Sequence, residues 1–248
     1  MKTMLTLCLL LLIIAAPLAA QTSSHEVAEQ ANALYAAGDY EGAKDLYETL
    51  ISNGVAQSAV YYNLGHAYLR LDDLGRGLLN YRRAHSLTPR DDEIRTALAR
   101  ARASRVDIEG DETFPTDSLA ALTASLLTIH ELNWLVLGLW VVFFGLGSIY
   151  VIQRSPVARG MLVAVGAVLL FTLMLWLSRL HSSSFRPPAV VLAPVTPVMS
   201  GPGEAYLQIY ELHAAAEIHM LSEQGSWGHF ALPSGQEGWI QLQAVEKV

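Results

Sequence analysis

The chain has 248 residues, long enough for one large domain or two small ones. Its hydrophobic fraction is 52% and its charged fraction 16%, where an ordinary soluble chain carries about 25% charged residues. That composition excludes disorder, collagen and a coiled-coil rod. The net charge of −7 argues against a nucleic-acid partner, and one cysteine, Cys8, cannot build an internal disulfide framework.

The apolar surplus lies in three blocks. Residues 4–20, 132–152 and 160–177 contain no Asp, Glu, Lys or Arg, and most of their positions are hydrophobic. Every charged side chain therefore falls in the rest of the sequence, whose composition is close to that of ordinary soluble chain.

The first block reads as an export signal over residues 1–20. Lys2 precedes the apolar run Leu5 to Ala16, and small residues around Ala19-Ala20 supply a cleavage point. An uncleaved anchor helix is the alternative. Cleavage after Ala20 would leave a chain without cysteine, which excludes thiol catalysis and a Cys-based zinc site.

Between Glu26 and Pro89 the sequence repeats with a period of about 34 residues, the spacing of paired helices in a repeat array. Leu34-Tyr35 returns as Tyr68-Leu69, Gly38-Asp39-Tyr40 as Asp72-Asp73-Leu74, Ala43 as Gly77 and Tyr47 as Tyr81. This spacing predicts two helix–turn–helix units, with Asp91 to Arg105 as a third, capping helix. Tyr61, Leu64, Gly65, Tyr68, Tyr81, Ala84 and Pro89 carry a resemblance to the tetratricopeptide repeat family, covering residues 25–105. Asp72 and Gly77 stand where that family prefers Gly and Ala, so the second hairpin is expected to be looser. Two units plus a cap is short for such a stack, and a partner or self-association is expected to complete it.

Stacked repeats leave a concave face lined by the first helix of each pair, here Asn32, Tyr35, Tyr62, His66, Arg70 and Arg100. Two readings stay open for it: a protein-docking groove, or a solvated helix face without a ligand. Charge is also uneven. Residues 26–53 carry six acids and one base, whereas residues 70–105 carry nine arginines and five acids. Head-to-tail self-association and a plainly solvated surface both fit this asymmetry.

Residues 106–117 hold five acids and no base and read as an exposed linker. Residues 118–130 follow as an amphipathic segment for the membrane surface or the repeat domain. Thr128-Ile129-His130-Glu131 reads as a capping box. The blocks at 132–152 and 160–180 are each near the ~20 residues needed to cross hydrocarbon. An eight-residue link, QRSPVARG, is expected between them. A cleaved signal would place both flanking modules outside and this link in the cytoplasm, which its arginines suit. Arg179 and Arg186 after the second span weaken that charge argument. The uncharged blocks 132–152 and 160–177 argue against a transporter. Gly138, Gly145, Gly160 and Ala164 suit close packing within the hairpin, or against another membrane protein.

From 187 to 248 short apolar runs alternate with turns, predicting five to seven strands in a small barrel. Val198 to Pro202, Trp227 and Gly238-Trp239-Ile240 are similar to motifs of bacterial SH3-like domains, although Ala214-Ala215 replaces a usual glycine. Tyr206, Tyr210, Trp227 and Trp239 are candidates for an aromatic face. Filling of the barrel core by both tryptophans is the competing reading.

No catalytic constellation, phosphate loop, dinucleotide fingerprint or metal-ligand spacing is present, so neither an enzyme nor a cofactor is expected. The expected fold is therefore multidomain: all-α tetratricopeptide-type repeats, a two-helix transmembrane hairpin and a small all-β SH3-like barrel. That order of modules resembles the Bacteroides aerotolerance (Bat) family. The resemblance implies a bacterial inner-membrane protein with both soluble modules in the periplasm. It further implies a scaffold role beside Bat proteins with von Willebrand factor A domains and a MoxR-type ATPase, in envelope integrity or stress tolerance. The alternative is binding or sensing of peptidoglycan through the SH3-like domain.

Overall fold

The computed structural model describes residues 24–107 and 127–248, without the side chains of 179 and 181–185. The expected signal, most of the acidic linker and most of the amphipathic segment lie outside the described residues. The chain is mixed helix and sheet. Five helices come first: α1 (24–36), α2 (Tyr40–Ser52), α3 (Ser58–Arg70), α4 (Leu74–Leu87) and α5 (Asp92–Ala103). Two long apolar helices follow, α6 (Ile129–Gln153) and α7 (Pro156–Phe185). Seven strands close the chain: β1 (Pro188–Val191), β2 (Val195–Met199), β3 (Gln208–His213), β4 (Glu217–Gln224), β5 (Trp227–Ala231), β6 (Glu237–Gln241) and β7 (Val245–Lys247).

The sequence repeat is visible atom by atom. Gly38, at the turn of the first hairpin, adopts φ +85°, and Asp72, its equivalent in the second, adopts φ +60°. Each is followed by an aspartate that caps the next helix. Asp39 accepts from the Gly42 amide at 3.0 Å and Asp73 from the Arg76 amide at 2.9 Å, satisfying helix donors that would otherwise be unpaired. Tyr47 and Tyr81 are both buried between helices, as are the equivalent Ala31 and Gly65. Asp91 caps α5 through the Glu93 and Ile94 amides.

Gly77 has a packing role in the second hairpin. A Cβ there would lie 2.8 Å from Leu69 Cδ2, and one on Gly65 would lie 2.8 Å from the Tyr81 ring and 3.1 Å from the Gly77 carbonyl. The two glycines let the α3 and α4 backbones approach closely, so packing decides the residue and helix propensity does not.

α6 and α7 are long and apolar enough to cross a membrane and are almost wholly uncovered. The capping box stands at the start of α6: Thr128 Oγ1 accepts from the Glu131 amide, and Glu131 accepts from the Thr128 amide at 2.8 Å. The link between the helices is far shorter than the expected QRSPVARG. Arg154 takes a left-handed conformation to end α6, and α7 starts at Pro156, where proline's missing N–H is harmless. The glycines at the helix contact also differ from those expected. Gly166 lies against Phe143 and Gly147 against Leu162, whereas a Cβ on Gly138, Gly145 or Gly160 would meet nothing within 4 Å.

The strands form one antiparallel sheet in the order β3-β2-β6-β5-β4-β1-β7. It curls so that Ala189 and Val191 of β1 share a core with Val198 of β2, Leu212 of β3, Ile218, Phe230 and Ile240. The uninterrupted apolar run Ala189-Val190-Val191 has a cause in this geometry. Ala189 and Val191 face the sheet's own core, while Val190 faces the helices, so β1 is buried on both sides.

The helical and sheet modules share a second core. Leu78, Leu79 and Tyr81 of α4 and Ala97, Leu98 and Ala101 of α5 pack with Val190 and Ala215. Gly75 makes the approach possible, since a Cβ there would lie 2.9 Å from the Val191 carbonyl oxygen. Ala215 holds the unfavourable φ of +70° where a glycine is expected, and its buried methyl group fills this interface. α5 is therefore no open cap. The sheet of the same chain covers the α4–α5 side of the stack.

Candidate functional site

With α4 and α5 docked on the sheet, a groove of 410 Å³ stays open between α3 and α5. Tyr62 and His66 stand one turn apart on α3. Tyr81 of α4 supplies the floor, and Glu93, Thr96, Ala97 and Arg100 of α5 form the wall. His66 meets Tyr62 edge-on at 4.5 Å between ring centres and Tyr81 at 5.3 Å. Tyr35 of α1 lies 6.4 Å from His66 and 5.2 Å from Tyr40, which extends the aromatic strip.

Electrostatics follow from burial. Desolvation pushes the His66 imidazole below its ordinary value, so the ring is neutral at pH 7 and offers one donor and one acceptor. Burial pushes the Tyr81 phenol up, and it pushes Tyr62 up with help from Glu93 and Asp91. Both remain protonated hydrogen-bonding groups. The wall carries both signs, Glu93 and Arg100. An apolar aromatic floor with a few polar groups suits an extended peptide side chain.

Of the six residues expected on the concave face, Tyr62, His66 and Arg100 line this groove and Tyr35 continues it. Asn32 has a bracing role: its Oδ1 accepts from Tyr47 Oη at 2.7 Å and from Asn63 Nδ2 at 3.0 Å, joining α1, α2 and α3. Arg70 lies on Tyr40, donating to its hydroxyl at 2.6 Å with the guanidinium 4.9 Å from the ring centre. Sequence reasoning missed Glu93 and Thr96. Their spacing with Ala97 and Arg100 (i, i+3, i+4, i+7) is one helical face and was a usable signal.

The four aromatic candidates on the sheet do not share one face. Trp239 stacks on His229 at 4.9 Å on the outer side of β5 and β6. Trp227 has the same side-chain parity but is buried. Tyr210 pairs with Val198 and packs against the inner core, because register turns it inward. Tyr206 sits in the β2–β3 turn, its ring against Gly201.

A polar centre that sequence reasoning did not anticipate joins the modules. Glu217 at the start of β4 is buried and accepts from three arginines. Arg82 Nη1 reaches Oε1 at 2.7 Å, Arg102 binds both oxygens at 2.9 and 3.0 Å, and Arg105 Nη1 reaches Oε2 at 2.9 Å. Burial alone would raise the carboxyl, but the guanidiniums of Arg82, Arg102 and Arg105 outweigh it and hold it below its ordinary value. Asp107 adds a tie, accepting from the His213 amide at 2.6 Å with its other oxygen 2.9 Å from Nδ1. Arg83 donates to Glu246 and to the Lys247 carbonyl, each at 2.8 Å.

Among the described residues no three His, Cys, Asp or Glu side chains converge on a metal-sized site. No family model matches the chain, and no curated protein matches its sequence.

Proposed function

We propose that the chain is a non-enzymatic, membrane-anchored scaffold whose helical groove docks an extended segment of a partner protein. One observation carries the reading: the sheet packs on the α4–α5 side of the stack and leaves the Tyr62–His66–Tyr81 groove open. In this reading the helices are tetratricopeptide-type repeats, the sheet is an SH3-like barrel, and α6–α7 crosses a bacterial inner membrane with both modules periplasmic. The resemblance in module order to the Bat family makes the partners other Bat proteins with von Willebrand factor A domains. A wall-binding role through the sheet has less to draw on, since Tyr210 faces the core and Trp227 is buried.

The test is affinity capture of the full chain from membranes, comparing wild type with Tyr62→Ala and Arg100→Glu. Central groove residues of this kind typically contribute about 2 kcal/mol, so co-captured partner should fall roughly 30-fold. Undiminished recovery with both variants folded would remove the groove from the function.

A further inference from the structure

The two edges of the sheet are treated very differently. β7 is three residues long, carries Glu246 and Lys247, and is held by Arg83 of α4. A short, charged, covered edge is how proteins prevent strand addition. Among the described residues β3, six residues long, pairs with β2 on one side only and ends the sheet on the other. Beside it Leu207 is 80% exposed and Ile209 53% exposed. No lysine or arginine interrupts Tyr206 to His213.

Register shows which part of that edge is open. The Ala214 amide donates to the Pro194 carbonyl, while the His213 amide donates to Asp107 on the far side from β2. By the two-residue alternation of an antiparallel pair, Glu211 also turns its N–H and C=O outward. The His213 carbonyl accepts from Ala216, so the edge is closed at that end and open toward Glu211. Alongside runs a groove of 660 Å³ lined by Ile209, Glu211, Leu232, Gln236 and Glu237 together with Asp107. Its lining holds three carboxylates and no lysine or arginine.

We propose that the free edge of β3 is a strand-addition site for a short extended peptide carrying alternating apolar and basic residues. Outward backbone groups at Glu211 would supply pairing, Leu207 and Ile209 apolar contact, and Glu211 and Glu237 the preference for lysine or arginine. A second copy of this chain fits worse, because edge-to-edge pairing would set Glu211 near its own counterpart. This surface is separate from the helical groove and stands or falls independently of it.

The probe is a fluorescent acetylated (Val-Lys)₃ peptide titrated against the full chain in detergent micelles and followed by anisotropy. Saturable binding is expected, weakening with salt. Glu211→Lys should weaken it about tenfold, since attraction becomes repulsion, and should let a (Val-Glu)₃ peptide bind instead. Leu207→Ser gives a second exposed variant with reduced affinity. A (Val-Lys)₃ peptide N-methylated at alternate residues should not bind. Equal binding by the N-methylated peptide, or by Glu211→Lys, would overturn strand addition. No binding to the full chain, including where a second copy covers the edge, would overturn it as well.

Discussion

Glu217 shows how one residue can decide an interface. Its carboxylate is buried among Arg82, Arg102 and Arg105, and removing a buried charge from such a cluster leaves the arginines uncompensated. Glu217→Gln should destabilise the docked modules by roughly 3 kcal/mol, measured as a lower Tm of the full chain in detergent. The pH dependence has a definite sign. The folded carboxyl lies below its ordinary value of 4.5, so its contribution is complete above that value and disappears as pH falls through the lower folded one. Near-UV circular dichroism between pH 5 and 2 (a range of about three units around the ordinary carboxyl value) should show a transition in wild type that is weaker in Glu217→Gln. Gly75 makes the complementary case by absence of a side chain. Alanine in an exposed helix would stabilise by about 1 kcal/mol over glycine, but here the added methyl meets the Val191 carbonyl and Leu192 backbone. Gly75→Ala should therefore destabilise the fold by about 1–2 kcal/mol, read as a lower Tm, and a higher Tm would show that the two backbones separate without cost.

At the level of elements, the repeat was legible because its signals are local. A left-handed turn residue, an aspartate cap and a tyrosine wedge each act within one or two helical turns, and each recurs one period later. Asp72 is the repeat's departure, a non-glycine at φ +60° where Gly38 occupies the equivalent turn. Asp72→Gly should raise stability by about 0.5–1 kcal/mol, read from thermal or denaturant unfolding. An unchanged or lower midpoint would mean that the aspartate side chain compensates locally. The capping box before α6 was likewise readable from four residues. The length of the link between α6 and α7 was not, because proline and arginine suggest a loop unless one sees that Pro156 opens a helix. In the candidate site, Tyr62 and His66 followed from periodicity on α3. The positions of Asn32, Arg70 and Tyr210 did not, because each is set by a neighbour on another element: Tyr47, Tyr40 and Val198.

For the whole molecule, a shared core constrains topology. α4 and α5 pack on β1 and the β3–β4 turn, so the modules before and after the α6–α7 hairpin occupy one side of any membrane the hairpin crosses. Arg90 also pairs with Glu131 in the first turn of α6, both contacts at 3.1 Å, joining the helical module to the hairpin. Single cysteines at exposed Asn53 and Ser234 should both react with a membrane-impermeant maleimide from one side of sealed vesicles, and Val157→Cys from the other. Labelling of Asn53→Cys and Ser234→Cys from opposite sides would break this topology.

The sequence by itself determined the composition blocks, the helical repeat, its caps and the two apolar helices, because those signals are carried by neighbouring residues. Only the tertiary structure decided that the modules are fused. Glu217 and Arg82 are 135 residues apart, and a charge whose partners are that distant looks in sequence like any solvated one. Val190 is equally silent, since an apolar run reads the same whether its second face meets solvent, membrane or α4. Burial on both faces turned that run into the seam between two modules.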